Sequence, residues 1–367
     1  MSGEAGETRG LDPASDPESP VRPRWDRRSS GLRGGDRGRS TYAALDLGTN
    51  NCRLLVARPT GDSFRVVDAF SRIIRLGEGV SISGRLSDAA IDRAVAALAI
   101  CRNKMRNRGV TRARLIATEA CRAAENGDEF RARVTEEVGI GLEVIDRATE
   151  AELAATGCTP LIDPQAEGVI LFDIGGGSSE LVRLSRSNKI GRGPPLPVMR
   201  GWISLPHGVV SLAERHGGIV ITRDIYECMV AEVEDYIAPF AREHGGDGLH
   251  GVHMLGTSGT VTTIAGVHLD LKRYDRNRVD GCWMSADEIG AVVERLLAMS
   301  YDERVASPCI GADRADLVLA GCAILEAIRR AFPCPRLRVA DRGLREGMLV
   351  QMMREDGVWG TSHAAVS

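Results

Sequence analysis

The sequence predicts an α/β protein made of two duplicated domains that face each other across an interdomain cleft. Three observations predict it. A strand–turn–strand pattern occurs twice, the second copy aligns with the first at one fixed offset, and apolar strands and amphipathic helices follow each copy. That succession implies mixed sheets with helices on their faces. At 367 residues and 43% apolar, the chain is long enough for about two ordinary cores.

The first copy runs Tyr42-Ala-Ala-Leu-Asp-Leu-Gly48 and returns over Cys52 to Arg58. A third strand is expected from Phe64 to Phe70. Ser87 is placed to cap a helix whose apolar stripe is Ile91, Val95, Leu98 and Met105. A strand at Arg114 to Ala117, a helix at Asp128 to Val138, a strand at Leu142 to Ile145 and a helix at Thr149 to Gly157 complete the first unit. The second copy is Gly168-Val-Ile-Leu-Phe-Asp-Ile-Gly-Gly-Gly-Ser-Ser-Glu-Leu-Val182. The offset puts Asp46 on Asp173, Gly48 on Gly175, Leu54 on Leu181 and Leu55 on Val182. A strand near Val198 to Ile203 and a long helix near Arg223 to Glu243 come next. Then follow a strand at Val252 to Leu255, helices near Ser285 to Met299 and Ala312 to Ala331, and a strand at Leu337 to Ala340. The domains expected are 41–153 and 154–340, with a last helix, about 344–355, returning to the first.

Residues 1–40 are rich in Gly, Pro, Ser and Arg without apolar periodicity, so a disordered tail is expected. Arg22, Arg24, Arg27, Arg28, Arg33, Arg37 and Arg39 suggest an RNA-binding arm, but interleaved acids offset most of that charge. The tail has no apolar core of a secretory signal. A formal charge of −3 gives no push toward DNA or an anionic membrane. No apolar run reaches the ~20 residues that span a bilayer. Nine cysteines without a C-x-x-C pair read as reduced thiols, and a cytoplasmic protein is expected. Seven histidines without an H-E-x-x-H run give little support for a histidine-bound metal.

A strand that ends in D-x-G and small polar residues suits phosphate. Gly48, Gly175, Gly176 and Gly177 permit positive φ and close backbone approach. Successive turn amides can form a nest for phosphate oxygens. Thr49, Asn50 and Asn51 on one loop, with Ser178 and Ser179 on the other, add donors. Asp46 and Asp173 are placed to reach a hydrated magnesium or to order its waters. Arg122 is read as a phosphate clamp, since a guanidinium holds two oxygens at once, with a helix-surface arginine paired to a local acid as the alternative. Arg53 sits beside the first loop. Arg75 is read either as a phosphate contact or as part of a turn salt bridge. Gly256-Thr257-Ser-Gly259-Thr260 places another glycine turn between strand and helix, for a nucleotide, for distal phosphates or for close packing.

Asp46-Leu-Gly-Thr-Asn-Asn-Cys-Arg-Leu and Asp173-Ile-Gly-Gly-Gly-Ser-Ser-Glu-Leu resemble the paired phosphate loops of the Ppx/GppA phosphatases. So do Ala117-Thr-Glu-Ala-Cys-Arg122 with Asn126, the Gly256 turn, Arg314-Ala-Asp316 and Asp341-Arg-Gly-Leu-Arg-Glu-Gly347. The resemblance runs from about Tyr42 to Met353. It implies two ribonuclease H-like domains of the actin/sugar kinase/Hsp70 superfamily. It also implies release of terminal phosphate from polyphosphate or guanosine pentaphosphate (pppGpp). By the same resemblance Glu150, in Thr149-Glu-Ala-Glu-Leu153, is the base that activates water, and the helix start there favours its ionised form. Asp173, Glu180 and Asp46 would attend magnesium, or another divalent cation; a monovalent ion stays open, as does a homodimer. Two departures stand out: Asn51 replaces a usual serine, and Glu119 enters a segment usually neutral. The chain would also lack the extra C-terminal helical domain of longer relatives. A phosphotransferase that passes phosphate to ADP and a nucleotide-sensing, actin-like protein remain alternatives.

Overall fold

The computed structural model describes residues 40–185, 192–196, 198–245 and 249–359. The tail expected at 1–40 lies outside these, apart from Ser40.

Two sheets carry the architecture. The first contains β1 (Tyr42–Leu47), β2 (Asn51–Thr60), β3 (Ser63–Ile73), β4 (Arg112–Ala117) and β5 (Glu143–Val144), in the order β3-β2-β1-β4-β5. The second contains β6 (Gly168–Ile174), β7 (Ser179–Ser185), β8 (Val198–Leu205), β9 (Val252–Thr257), β10 (Trp283–Ser285) and β11 (Arg336–Ala340), in the order β10-β11-β9-β6-β7-β8. Without β10 the two orders coincide: an antiparallel meander, then two parallel strands beyond its first member. The duplication read from the sequence is therefore a duplication of topology.

The pleat decides which residues meet. Ala43, Leu45 and Leu47 of β1 pack outward with Leu98, Phe130 and Val134, whereas Tyr42 and Ala44 face Met348, Leu349 and Met353. In β6, Ile170, Phe172 and Ile174 join the large outer core; Val169 and Leu171 pack with Ala151, Ala155 and Ala340. Side chains alternate along a strand. Asp46 and Asp173 thus belong to the inner faces, toward the helices Arg147–Cys158 and Leu344–Glu355.

Those two helices form the middle layer. The first carries the chain from one sheet to the other, and the last packs on β1 and on the first. They approach backbone to backbone. A Cβ on Gly157 would fall on the carbonyl of Gly343, and one on Gly347 on the carbonyl of Leu153. The boundary expected at 153/154 falls inside a continuous helix, because this helix is the crossing itself.

Ser87 accepts from the Ala90 amide at 3.3 Å and starts the helix Asp88–Asn107. Asp146 likewise caps the Arg147 helix, accepting from Thr149 at 2.7 Å. The helix expected from Ala312 begins at Val318, and turns occupy the residues before it. The short helices Glu119–Ala123, Val209–His216 and Tyr301–Ala306, and strand β10, were not anticipated.

Candidate active site

A cavity of about 570 Å³ opens between the inner faces. Both hairpin turns border it. The turns share one hydrogen bond: Gly48 donates to the Asn51 carbonyl and Gly175 to the Ser178 carbonyl, each at 2.9 Å. The loop residues Gly48, Thr49, Asn50, Asn51, Gly175, Gly176, Gly177 and Ser178 all line the cavity.

Among the described residues, no group accepts from the backbone amides of Thr49, Asn50, Gly176, Gly177 or Ser178. The side-chain oxygens of Asn50 and Asn51 are buried without a partner. Two facing turns thus offer polar capacity that a phosphate and its waters can satisfy. Positive φ, however, is not the reason for the glycines: none of Gly48, Gly175, Gly176 and Gly177 adopts it. Close approach is, at all but Gly48. A Cβ on Gly175 would come to 2.6 Å from the Ser178 carbonyl, one on Gly176 to 2.9 Å from Thr49 Cβ, and one on Gly177 to 3.0 Å from Thr49 Oγ1. Strain appears instead in the third glycine turn, where Ser258 has φ 127° while its hydroxyl caps Val261. Thr257, Gly259 and Thr260 of that turn line the cavity. Gly256 does not: it lies in β9, where a Cβ would meet the Phe172 ring at 2.5 Å.

The acids are distributed unequally. Asp46 is the cross-strand partner of Arg53, and Asp173 that of Glu180. Burial pushes Asp173 up to about 6, with Arg53 opposing and Asp46 adding to it. Burial and then Asp173 push Glu180 up to about 7, although the hydroxyls of Ser178 and Ser204 each donate to it at 2.9 Å. Burial raises Asp46 as well, with Arg53 and Arg345 opposing. Glu150 occupies the first turn of its helix and lines the cavity. Burial, then Glu180, hold it well above the usual carboxylate range, against Arg122. Burial and like charge therefore outweigh the helix start that was expected to favour its ionised form.

Asp46, Asp173 and Glu180 do not close into a metal cage. Among the described residues no group of three or more His, Cys, Asp or Glu has that arrangement. Glu180 stands behind the cavity wall on its serine hydrogen bonds, and Asp46 belongs to the other sheet beside Arg53. The donor set is nonetheless all oxygen, mutually repelling and short of positive charge. It suits a hard cation that keeps waters and takes further oxygens from substrate.

The arginines divide into two groups. Arg53, Arg314 and Arg345 line the cavity and form no ion pair among the described residues. Among the described residues Arg314 donates only to Thr263 Oγ1, at 3.2 Å. Burial and then Arg53 pull Arg314 below its usual range, and burial does the same to Arg345. Among the described residues these cations crowd one another with no carboxylate at ion-pair distance. In the sequence Arg314 and Arg345 stand inside longer segments, Arg314-Ala-Asp316 and Asp341 to Gly347. A charged residue opening a helix after a glycine turn was the available signal for Arg345.

Arg122 and Arg75 belong to the second group. Arg122 lies outside the cavity lining and donates to Glu119 at 2.5 and 3.0 Å, to Glu150 at 3.2 Å and to the Ile145 carbonyl at 2.6 Å. Its fork is taken by carboxylates rather than open to phosphate. Arg75 makes a bidentate pair with Asp316 at 2.9 and 3.0 Å, from one half of the chain to the other. The salt-bridge alternative describes it, although its partner is distant in sequence. Ser179 also corrects its expectation: the side chain is fully buried, and its hydroxyl donates to the His207 carbonyl at 2.6 Å.

Comparison with known proteins agrees with this architecture. The model of the Ppx/GppA phosphatase family matches residues 55–356. The chain is 30% identical to an exopolyphosphatase-like protein of known structure, with 86% of this chain and 98% of that one covered and a TM-score of 0.75. It is 28% identical to the Ppx/GppA family member of Aquifex aeolicus, covering 86% and 98%, with a TM-score of 0.70. An exopolyphosphatase from Cytophaga hutchinsonii, 24% identical over 88% and 100%, has a TM-score of 0.78 and supports the fold alone. All nine cysteines are free thiols, and no helix among the described residues is long and apolar enough to cross a membrane.

Proposed function

We propose, from the premise that this chain belongs to the Ppx/GppA phosphatase family, that it hydrolyses the terminal phosphoanhydride bond of inorganic polyphosphate or pppGpp and releases orthophosphate. The observation that carries this reading is the pair of facing turns, with free amides on both and a half-buried Glu150 lining the same cavity.

The terminal phosphoryl group sits between the turns, where the amides of Thr49, Asn50, Gly176 and Gly177 receive its oxygens. Arg53, Arg345 and Arg314 hold the phosphates that follow. Glu150 accepts a proton from the attacking water. A base whose affinity for protons is raised by burial suits that role. Arg122, which donates to Glu150, steadies the carboxylate. Asp173, with Asp46 and Glu180 around it, would hold magnesium or another divalent cation, which supplies neutralisation of the charge on phosphoryl oxygens. Water attacks in line, its proton goes to Glu150, and the shortened chain leaves with the bridging oxygen.

Orthophosphate release from long polyphosphate, tripolyphosphate and pppGpp, with magnesium or with EDTA, tests the reading. Release that requires the metal and needs no ADP is expected; transfer to ADP alone would point to the phosphotransferase instead. A folded Glu150→Gln protein should lose at least about a thousandfold in kcat. Wild-type turnover by that variant would remove Glu150 from the mechanism.

A further inference from the structure

Arg122, the arginine the sequence offers as a phosphate clamp, is already clamped, and the anion that holds it is Glu119. This carboxylate lines the cavity, with its Cγ so near the second turn that a Cβ on Gly177 would come to 3.0 Å from it. It takes Nε and Nη2 of Arg122 at 3.0 and 2.5 Å, and Nη2 of Arg147 at 2.8 Å. Its side chain is only 15% exposed. With the Ile145 carbonyl and Glu150 as further acceptors, Arg122 keeps one of its five N–H groups unused. A phosphate cannot take this guanidinium bidentately unless Glu119 yields. Arg53, Arg314 and Arg345, by contrast, have no carboxylate to displace.

We propose that Glu119 is an internal stand-in for a substrate phosphate, and that it sets how much negative charge a ligand must carry to gain Arg122. This inference rests on the phosphohydrolase reading above. A carboxylate bears one charge, whereas orthophosphate near neutrality bears one to two and a chain terminus is continuous with several more. The ligand that competes best with Glu119 is therefore one whose further phosphates are held at the same time by Arg53, Arg314 and Arg345. Orthophosphate, bound by none of them once the chain has been cut, loses the competition and leaves. Glu119 would thus favour polyanions over single phosphates and speed product release. Burial alone would raise Glu119, but the hydrogen bonds from Arg147 and Arg122 overcome it and hold the carboxyl below its usual range, so the stand-in keeps its charge.

Glu119 acts through Arg122 and is a positioning residue, so its test must separate competition from mere support. Glu119→Gln keeps the shape and removes the charge. Calorimetric titration with inorganic phosphate and with tripolyphosphate should show phosphate binding tightened about tenfold, and tripolyphosphate tightened less. In turnover, KM should fall while kcat falls too, because product release slows and orthophosphate inhibits at lower concentration. Glu119→Asp should return both ligands toward wild-type affinity. Were Glu119 a structural prop for Arg122, the Gln variant would bind both ligands more weakly or equally, and the inference would be overturned. A lowered melting temperature with unchanged affinities would overturn it as well. If neither wild type nor variant binds tripolyphosphate, the phosphate-site reading itself fails along with it; if wild type binds and turns over and the variant matches it, only the role of Glu119 fails.

Discussion

The two hairpins that build the cavity share their fold, their turn hydrogen bond and their strand-end aspartate, yet differ in charge at the next cross-strand position. Arg53 faces Asp46 in the first, and Glu180 faces Asp173 in the second. One inner face is close to neutral, while the other confines two carboxylates that burial pushes up to about 6 and 7, with Asp46 adding to Asp173 and Asp173 to Glu180. The same backbone device therefore serves two tasks. The first hairpin is prepared for an anion, and the second needs a cation before it can accept one. A duplicated fold thus yields an asymmetric site through one residue in each copy.

The largest expected effect breaks the symmetry between the aspartates. Asp173→Asn should lower metal-dependent phosphate release by about a thousandfold, and Asp46→Asn by about tenfold, since the cross-strand partner of Asp173 is a second carboxylate whereas that of Asp46 is Arg53. Steady-state kinetics at saturating magnesium would check this, and equal losses would refute the division of labour. The cross-strand partners should then fail in different ways. Arg53→Gln is expected to raise KM for tripolyphosphate about tenfold with an unchanged magnesium requirement. Glu180→Gln should instead raise the magnesium needed for half-maximal rate about tenfold or more, because it supports Asp173 from behind. Titrating each variant in both ligands tells the two defects apart; an exchange of them would assign the cation to the first hairpin.

Much of this was legible in the sequence, for identifiable reasons. Strand alternation and the fixed offset are local or repeated signals, so the paired turns, Glu150 at a helix start and the return of the last helix could all be read. The fates of the arginines could not. Arg75 meets Asp316, and Arg314 reaches a cavity bordered by β1 and β2, across separations that leave no periodic trace. For Arg122 the local-acid alternative describes the pairing with Glu119, one helical turn away, but the second acceptor Glu150 comes from a later helix and leaves no local trace. The glycines were identified for a partly mistaken reason, since steric approach by Thr49 is a tertiary fact, whereas φ is a local one.

Proton linkage sharpens the charge contrast with a smaller effect. In EDTA, Asp173 and Glu180 are raised from 3.8 and 4.5 to about 6 and about 7. The folded protein therefore binds more protons than the unfolded chain between about pH 4 and pH 7, and stability must fall as pH rises through that window. The contribution is fully present below the unfolded values and lost above the folded ones. Melting temperatures in EDTA should decline from pH 5 to pH 8 on this account. Asp173→Asn and Glu180→Gln should flatten the decline. Identical slopes in wild type and both variants would show that the second hairpin is not the uncompensated one.

The smallest effect concerns glycines at equivalent turn positions. A Cβ on Gly175 would stand 2.6 Å from the Ser178 carbonyl, whereas one on Gly48 would stand 3.5 Å from the Asn51 carbonyl, an ordinary contact. Neither residue has positive φ, so backbone preference does not separate them. Gly175→Ala should cost about 1–3 kcal/mol in urea unfolding, the usual range for overpacking, and Gly48→Ala within about 0.5 kcal/mol. The reason lies outside the turns: the Gly175 and Gly176 carbonyls accept from Val209 and Val210, which start the helix Val209–His216 and press the second loop from behind. The first loop is braced from the strand side instead, through Ile74, Arg75 and Gly77 amides donating to Asn50 and Thr49. Equal costs at the two glycines would mean that the turns tolerate a methyl group alike, and that their difference is one of charge only.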